Sequence, residues 1–281
     1  MNETPKIVFL IPFAPRRVKS KWETACAHLR QTLKSIHNST SGNYRAVVAG
    51  HEAPDFDVAF DSRFIFLPLN HPIPSHENSN VAGRLDKLTK IAAAWNYAKS
   101  TWNPNYVMKL DADDLISSRL VDWLENSGGE AGYLIKYGWV WSSGSRYLIT
   151  KVEYLDRICG SCLIIRSDFA DKMGPFLSAM DGVPLDEAGS RFAAADLYSL
   201  IPGSRTTTLL LNNDHPRYEA QFAHLGYRLS SVPFNAVVYR VHNPDSITQG
   251  KRHTHTLRMW LGKIRRTRLI TSRLRREFLL E

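Results

Sequence analysis

Long apolar runs are missing from this sequence of 281 residues. A membrane-spanning helix needs about 20 consecutive apolar residues. The longest early run, residues 7–13, is short and carries Pro12. No small-residue cleavage site follows it, so it reads as a buried strand rather than a secretory leader, and a cytoplasmic location is expected. Cysteine is scarce as well: Cys26, Cys159 and Cys162 are too few, and odd in number, for a disulfide scaffold. Cys159 and Cys162 form a lone C-x-x-C without the second pair that a zinc site needs. They are expected to be small residues leading into a buried strand. Internal repeats and low-complexity stretches are also lacking. Hydrophobic residues make up 43% of the chain, which suffices for a sizeable core.

The net charge of +9 is concentrated at one end. Ten Lys or Arg follow residue 250 against Glu277 and Glu281, so this tail carries +8 and the other 250 residues only +1. A near-neutral body argues against a nucleic-acid-binding domain, and no nucleic acid is expected as a partner. In the tail, Leu257, Trp260, Leu261 and Ile264 share one helical face, and Ile270, Leu274 and Phe278 extend the stripe. Arginines fill the other faces. That composition predicts a helix lying on an anionic membrane surface, peripheral to the inner leaflet. The alternative is packing on its own domain or on a second subunit, as a homo-oligomer. The division expected is a domain over residues 1–250 and a basic amphipathic tail over 251–281.

Apolar segments at 6–13, 44–50, 64–69, 106–110, 132–141, 161–166, 206–211 and 236–241 read as strands. Several are continuously apolar, which suits strands covered on both faces of an α/β sheet. Three- and four-residue apolar spacing predicts helices over 21–37, 84–102, 117–125 and 216–225. Ser117 or Ser118 would cap the third, and Gly226 would stop the fourth. Residues 70–80 and 181–189 read as loops. The first half thus alternates strands and helices as in a mononucleotide-binding arrangement.

The fourth strand ends in Asp111-Ala112-Asp113-Asp114. Ligands of open α/β sheets bind beyond the carboxyl ends of the strands. Three carboxylates gathered there repel one another unless a cation neutralises them. Mg²⁺ or Mn²⁺ takes one or two carboxylates and fills its remaining positions with water and substrate phosphates. Helix capping would need one acid, not three.

The run YVMKLDADDLIS resembles the D-x-D signature of family 2-like glycosyltransferases with the GT-A fold. The opening strand KIVFLIPF, the helix GRLDKLTKIAAAWNYA and the later NNDHPRYEAQFAHLGYRLSSVPFNAVVYRVHNPDSIT are similar to that family in the same order, over roughly residues 6 to 248. The resemblance implies a Rossmann-like open twisted mixed sheet flanked by helices, in a single catalytic domain. It implies a metal-dependent transfer from a nucleoside-diphosphate sugar, with a UDP-sugar favoured, to a hydroxyl of a glycan or lipid-linked acceptor. Asp113 would bind Mn²⁺ or Mg²⁺, Asp111 the ribose or the metal, and His242 would join the metal shell or the diphosphate. Asp214 would be the carboxylate base of an inverting transfer, although the family often has Glu-Asp where this chain has Asn213-Asp214; Asp186 and Glu187 are the reserve acids. Pro12 and Ala14 would line the base pocket through their backbone, and Glu52 would stand where relatives read uracil with an acid. Arg84, Asp86 and Lys87 would face the phosphates and ribose. Trp139, Trp141 and Tyr137 could form an acceptor platform, or else pack the core.

Two other classes compete. A nucleotidyltransferase would also use strand-end acids and metal, but PFAPRRVKS lacks the glycines of a phosphate loop. A non-catalytic module binding anionic lipid or nucleic acid through the tail leaves the internal acids unexplained.

Overall fold

The computed structural model describes residues 4–16, 21–70, 79–142, 145–175, 206–208, 210, 218–241 and 265–280. Strand β1 (Ile7–Pro12) is apolar on both faces and is buried from Ile7 to Ile11. It therefore sits inside a sheet, with β2 (Tyr44–Gly50) and β4 (Tyr106–Lys109) parallel on its two sides. β3 (Phe64–Pro68) extends the sheet beyond β2. On the other flank β9 (Leu163–Arg166) runs antiparallel between β4 and β6 (Gly132–Leu134), and β12 (Ser230–Ser231) closes that side. The seven-stranded order is β12-β6-β9-β4-β1-β2-β3, a mixed α/β sheet with one reversed strand. This is the open mixed sheet that the sequence led us to expect.

Helix α1 (Trp22–His37) buries Trp22, Ala25, Leu29, Leu33 and Ile36, the stripe visible in the sequence. Helix α2 (Ser79–Trp102) packs on β1 and β2 and begins five residues before the expected start at 84. Ser79 and Asn80 are weak helix formers and the apolar period first shows at Leu85, so the early turn has no sequence signal. Helix α3 (Leu120–Glu125) starts at Arg119 without a side-chain cap. Ser117 instead donates to Glu277 Oε1 at 2.6 Å. The small helix α4 (Ser167–Ala170) follows β9. β10 (Met173–Pro175) and β11 (Thr206–Thr208) form a separate antiparallel pair. Helix α5 (Tyr218–His224) ends before Gly226, whose φ of +80° marks the expected stop.

A second sheet was not foreseen. The apolar run 132–141 divides, and its later part is β7 (Gly138–Ser142). β7 pairs with β8 (Leu148–Val152) and with β13 (Val237–Val241). β5 (Leu115–Ile116) and β14 (Thr267–Leu269) complete the order β14-β8-β7-β13-β5. The break falls at Gly138, where a Cβ would lie 2.6 Å from Leu155 Cδ2 and 2.7 Å from the Val237 carbonyl oxygen. Only a residue without a side chain permits that approach.

The boundary expected at residue 250 does not leave residues 265–280 outside the domain. They supply β14 and helix α6 (Ser272–Phe278). Phe278 is fully buried with Leu115, Trp139, Trp141, Ile149 and Val238, and Ile270 and Leu274 pack beside it. Gln31 Nε2 donates to the Leu279 carbonyl at 3.0 Å and Asn38 Nδ2 to that of Arg276 at 2.8 Å. The stripe Ile270–Leu274–Phe278 thus faces the protein, and a bilayer does not cover it. The physical reason is that burying three apolar side chains is equally favourable in either environment, and the second sheet offers the nearer one. The tail's first part, 251–264, lies outside the described residues. Among the described residues no helix is long and apolar enough to cross a membrane.

Candidate active site

The strand order brings the ends of β1, β2 and β4 and the start of β9 to one edge. Asp111-Ala112-Asp113-Asp114 forms the link from β4 to β5 there, closed by the Asp114 N–H to the Asp111 carbonyl at 3.1 Å. Thr32 of α1 donates to the Ala112 carbonyl at 3.0 Å. Asp111 and Asp113 are half-buried, whereas Asp114 is wholly buried. The three acids therefore divide into two that border solvent and one that holds the link in place.

Asp114 accepts from Ser161 Oγ at 2.6 Å, from Cys159 Sγ at 3.2 Å and from the Arg240 backbone N–H at 3.2 Å. Burial pushes its carboxyl well above the usual range, the charges of Asp113 and Asp111 push the same way, and the bonds from Ser161 and Cys159 oppose them. Ser161 Oγ also accepts from the Asp111 N–H at 2.9 Å. One buried hydroxyl thus ties the first acid's backbone to the last acid's side chain. Next to it, a Cβ on Gly160 would stand 3.4 Å from Asp111 Oδ2 and 3.6 Å from Lys87 Nζ.

Lys87, on α2, makes an ion pair of 2.5 Å with Asp111 Oδ1. Burial alone would lower its pKa, but the Asp111 carboxylate, with Asp114 and Asp113 behind it, outweighs that and holds it above the ordinary lysine value. Lys109, the last residue of β4, points inward and donates to Tyr218 OH at 2.9 Å. Burial, aided by the Lys87 charge, brings its pKa down to about 7.

The other expected residues fall unevenly. Pro12 and Ala14 are half-buried at the end of β1, and Pro12 lies in register with Ala49 of β2. Glu52, just past β2, accepts from the Arg16 N–H at 3.3 Å. Asp86 is not at the surface: it is buried, with Lys90 Nζ at 2.6 Å and His51 Nδ1 at 3.8 Å. This carboxylate is held against Lys90 and His51 rather than standing at the surface as expected. Arg84 lies on α2, with its side chain outside the described residues. Asp214, His242, Asp186 and Glu187 lie outside the described residues altogether. Arg240 is buried, stacks on Trp141 at 4.9 Å and reaches Gln31 Oε1. Trp139 and Trp141 belong to the core of the second sheet, while Tyr137 is exposed near the edge.

Ser161, Cys159 and Lys109 are the site residues that sequence reasoning missed. Cys159 and Cys162 are free and buried, in keeping with a non-redox role. Their thiol pKa values are raised by burial. Lys109 had a signal, a single cation inside an apolar strand. Ser161 had none, because the reversed direction of β9 is what returns it to the acids.

Solved structures similar to the chain include a glycosyltransferase. GlyE of Streptococcus pneumoniae TIGR4 aligns at 10% identity and a TM-score of 0.38, covering 93% of this chain and 61% of that one. S. aureus TarS 1-349 aligns at 11% identity and a TM-score of 0.44, covering 84% and 60%. A longer S. aureus TarS structure gives 12% and 0.45, with 85% of this chain and 37% of that one. The chain thus spans about 60% of the first of these or less. No family model and no curated protein matches the sequence.

Among the described residues no three His, Cys, Asp or Glu side chains are grouped to enclose a metal ion. Asp111 and Asp113 are nevertheless two half-buried oxygen donors at the sheet edge. That donor set fits a hard dication that keeps water and phosphate ligands, and does not fit zinc. A hollow of about 620 Å³ at the opposite edge, lined by Lys99, Asn105, Arg166 and Asp168 among others, does not compete. Its charges are already paired as Lys99–Asp171 and Arg166–Asp168.

Proposed function

We propose that this chain is a glycosyltransferase that moves a sugar from a nucleoside-diphosphate sugar to a hydroxyl of a glycan or lipid-linked acceptor. One observation carries the reading: Asp111 and Asp113 border solvent at the sheet edge beside Lys87, on a link that the buried Asp114 anchors. A link fixed in this way holds its two outward acids in place before any ligand arrives. The D-x-D resemblance supports the same assignment.

Asp113 and Asp111 would hold Mn²⁺ or Mg²⁺. When bound, that ion supplies Lewis-acid neutralisation of the departing nucleoside diphosphate. Lys87, paired with Asp111 at 2.5 Å, would place its positive charge beside the diphosphate of a bound donor. Asp114, enclosed by Ser161, Cys159 and the Arg240 N–H, is a positioning residue. Asp214 is assigned the proton of the attacking hydroxyl, on the resemblance alone. Glu52, at the end of β2, is the candidate for reading the base, with a UDP-sugar as the favoured donor.

The test is release of nucleoside diphosphate from a panel of nucleotide sugars, with and without Mn²⁺. Asp113→Ala should lower metal-dependent turnover by a factor of about a hundred or more while the melting curve stays cooperative. Full activity in that variant refutes the site. Pyrophosphate release from nucleoside triphosphates would instead identify nucleotidyl transfer.

A further inference from the structure

Helix α1 is buried on two sides. Its apolar stripe faces the main core. Gln31, Ser35 and Asn38 follow one another at four- and three-residue steps on the side opposite that stripe. Such a side of a helix ordinarily meets solvent. Here Gln31 is only 8% exposed and Ser35 is fully buried. The acid link and the C-terminal helix α6 cover it. Ser35 Oγ accepts from the Ile116 N–H at 3.2 Å, and Thr32, beside Gln31, donates to the Ala112 carbonyl at 3.0 Å. Gln31 Nε2 donates to the Leu279 carbonyl at 3.0 Å, and Asn38 Nδ2 to the Arg276 carbonyl at 2.8 Å. One side of α1 thus holds both the link that carries the acids and the end of the chain.

Two routes connect α6 to that link. Glu277 Oε1 accepts from Ser117 Oγ at 2.6 Å and from Arg119 Nε at 3.1 Å, and the Glu277 carbonyl accepts from the Ser118 N–H at 3.1 Å. Ser117 follows β5, and β5 follows Asp114 directly. On the second route Gln31 Oε1 accepts from the Arg240 guanidinium, and the Arg240 N–H donates to Asp114 Oδ1 at 3.2 Å. Leu279, whose carbonyl meets Gln31, is left-handed at φ +50°. A non-glycine residue takes that conformation at a cost and keeps it where its surroundings impose it. The buried Phe278 and Leu280 on its two sides impose it here.

Packing alone does not call for this arrangement. Apolar side chains at positions 31 and 35 would bury as readily and need no partners. A satisfied polar network instead fixes one geometry among the groups that it joins. We propose that α6 is a positioning element of the candidate active site: acting through Gln31 and Glu277, it fixes the link that carries Asp111 and Asp113. Gln31 and Glu277 are positioning residues, since each reaches the acids through another group. The inference rests on the reading of Asp111 and Asp113 as holders of a dication, and extends it to a part of the chain more than 150 residues further on.

The experiment uses the full chain without donor, at a temperature where circular dichroism shows every variant folded. Mn²⁺ binding is measured from the electron paramagnetic resonance signal of the free ion, and hydrogen exchange is followed at the amides of residues 111–117. Gln31→Met and Glu277→Ala should each weaken Mn²⁺ binding about tenfold, the lower end of what partners behind a metal site contribute. Exchange in the link should speed up by about tenfold as it opens more readily. Glu277→Gln keeps an oxygen for Ser117 and should bind Mn²⁺ within about twofold of the parent. Phe169→Ala, a cavity made in α4, should lower the melting temperature and leave Mn²⁺ affinity unchanged. Parent-like affinity and exchange in both Gln31→Met and Glu277→Ala overturn the inference. So does a Glu277→Gln variant as weak as Glu277→Ala, or an equal loss in Phe169→Ala, which would reduce the effect to stability. A parent that binds no Mn²⁺ refutes the metal reading and this inference with it. Mn²⁺ binding that responds to α6 as expected, in a chain that releases no nucleoside diphosphate from any nucleotide sugar, supports the positioning role and refutes the transferase.

Discussion

Replacing Ser161 by alanine removes a single hydroxyl at the centre of the site. That hydroxyl donates to Asp114 Oδ2 at 2.6 Å and accepts from the Asp111 N–H at 2.9 Å, and it is fully buried. The bond to Asp114 contributes about 0.5–1.5 kcal/mol with its carboxyl neutral and about 1.5–3 kcal/mol with it charged, and a backbone N–H left without an acceptor costs about 1–3 kcal/mol. Cys159 Sγ and the Arg240 N–H still serve Asp114, so the lower part of the sum, about 3 kcal/mol, is the expectation. For a chain of this size that lowers the melting temperature by about 6–12 °C. The loss should also reach function. With Ser161 gone, Asp114 loses a bond that favours its charged form, and the link carrying Asp111 and Asp113 loses its tie to β9. The apparent Mn²⁺ requirement should rise and turnover fall by about tenfold or more. Ser161→Thr keeps the hydroxyl and should restore most of both. Calorimetry with a Mn²⁺ titration of donor turnover reads the two effects side by side. An alanine variant that melts within about 1 °C of the parent, or a threonine variant as impaired as the alanine one, refutes the reasoning.

Other expected outcomes follow from single positions. Tyr44 is fully buried, and its hydroxyl has no hydrogen-bond partner among the described residues. Burial, with some help from Asp61, lifts its pKa from 10.0 to about 12 against the pull of Arg63 and Arg45. The folded state therefore holds this proton more tightly than the unfolded chain, and stability falls as pH rises from about 10 to about 12. Tyr44→Phe should remove that alkaline loss and add about 1 kcal/mol near neutrality; denaturant midpoints across pH check both, and a destabilised phenylalanine variant contradicts them. Phe278→Ala should cost about 3–5 kcal/mol if residues 265–280 are part of the core, whereas a free tail would show no change in the urea midpoint. At the acid end, hydrogen bonds from Arg63 hold the Asp61 carboxyl below its usual range. Its contribution is present above the unfolded pKa near 4 and is lost as pH falls through the lower folded value, and Arg63→Gln should flatten that acid limb of the stability curve.

The parts of this fold that could be read in the sequence are those governed by local pattern. The continuously apolar runs gave β1, β2 and β4, and the stripe Trp22–Leu29–Ile36 gave α1, because burial on one or two faces imposes a period on the residues themselves. The acids at 111–114 were legible for a related reason: a polar cluster ending an apolar strand is conspicuous. The second sheet was not legible. It joins β5, β7, β8, β13 and β14 across 155 residues of sequence, from Leu115 to Leu269, and its only local sign is the glycine at 138. The same holds inside the site. Asp114 resembles its neighbours in sequence but is set apart by burial, and the partners that bury it arrive from β9 and β13. Asp86 looked available because its charge is visible in the sequence; its partner Lys90, four residues on along the helix, was legible there too, whereas His51 and the burial arrive only in three dimensions. Of the tail's apolar stripe, Ile270, Leu274 and Phe278 turn toward the second sheet, but periodicity does not say which surface a stripe meets.

Isothermal titration of UDP into the full chain, with and without Mn²⁺, tests the central claim most directly. The account predicts binding that strengthens by about tenfold or more when Mn²⁺ is present, and loses that gain in Asp113→Asn while the heat-unfolding transition stays put. Affinity that is the same with and without the metal, or a gain that survives in Asp113→Asn, would contradict it.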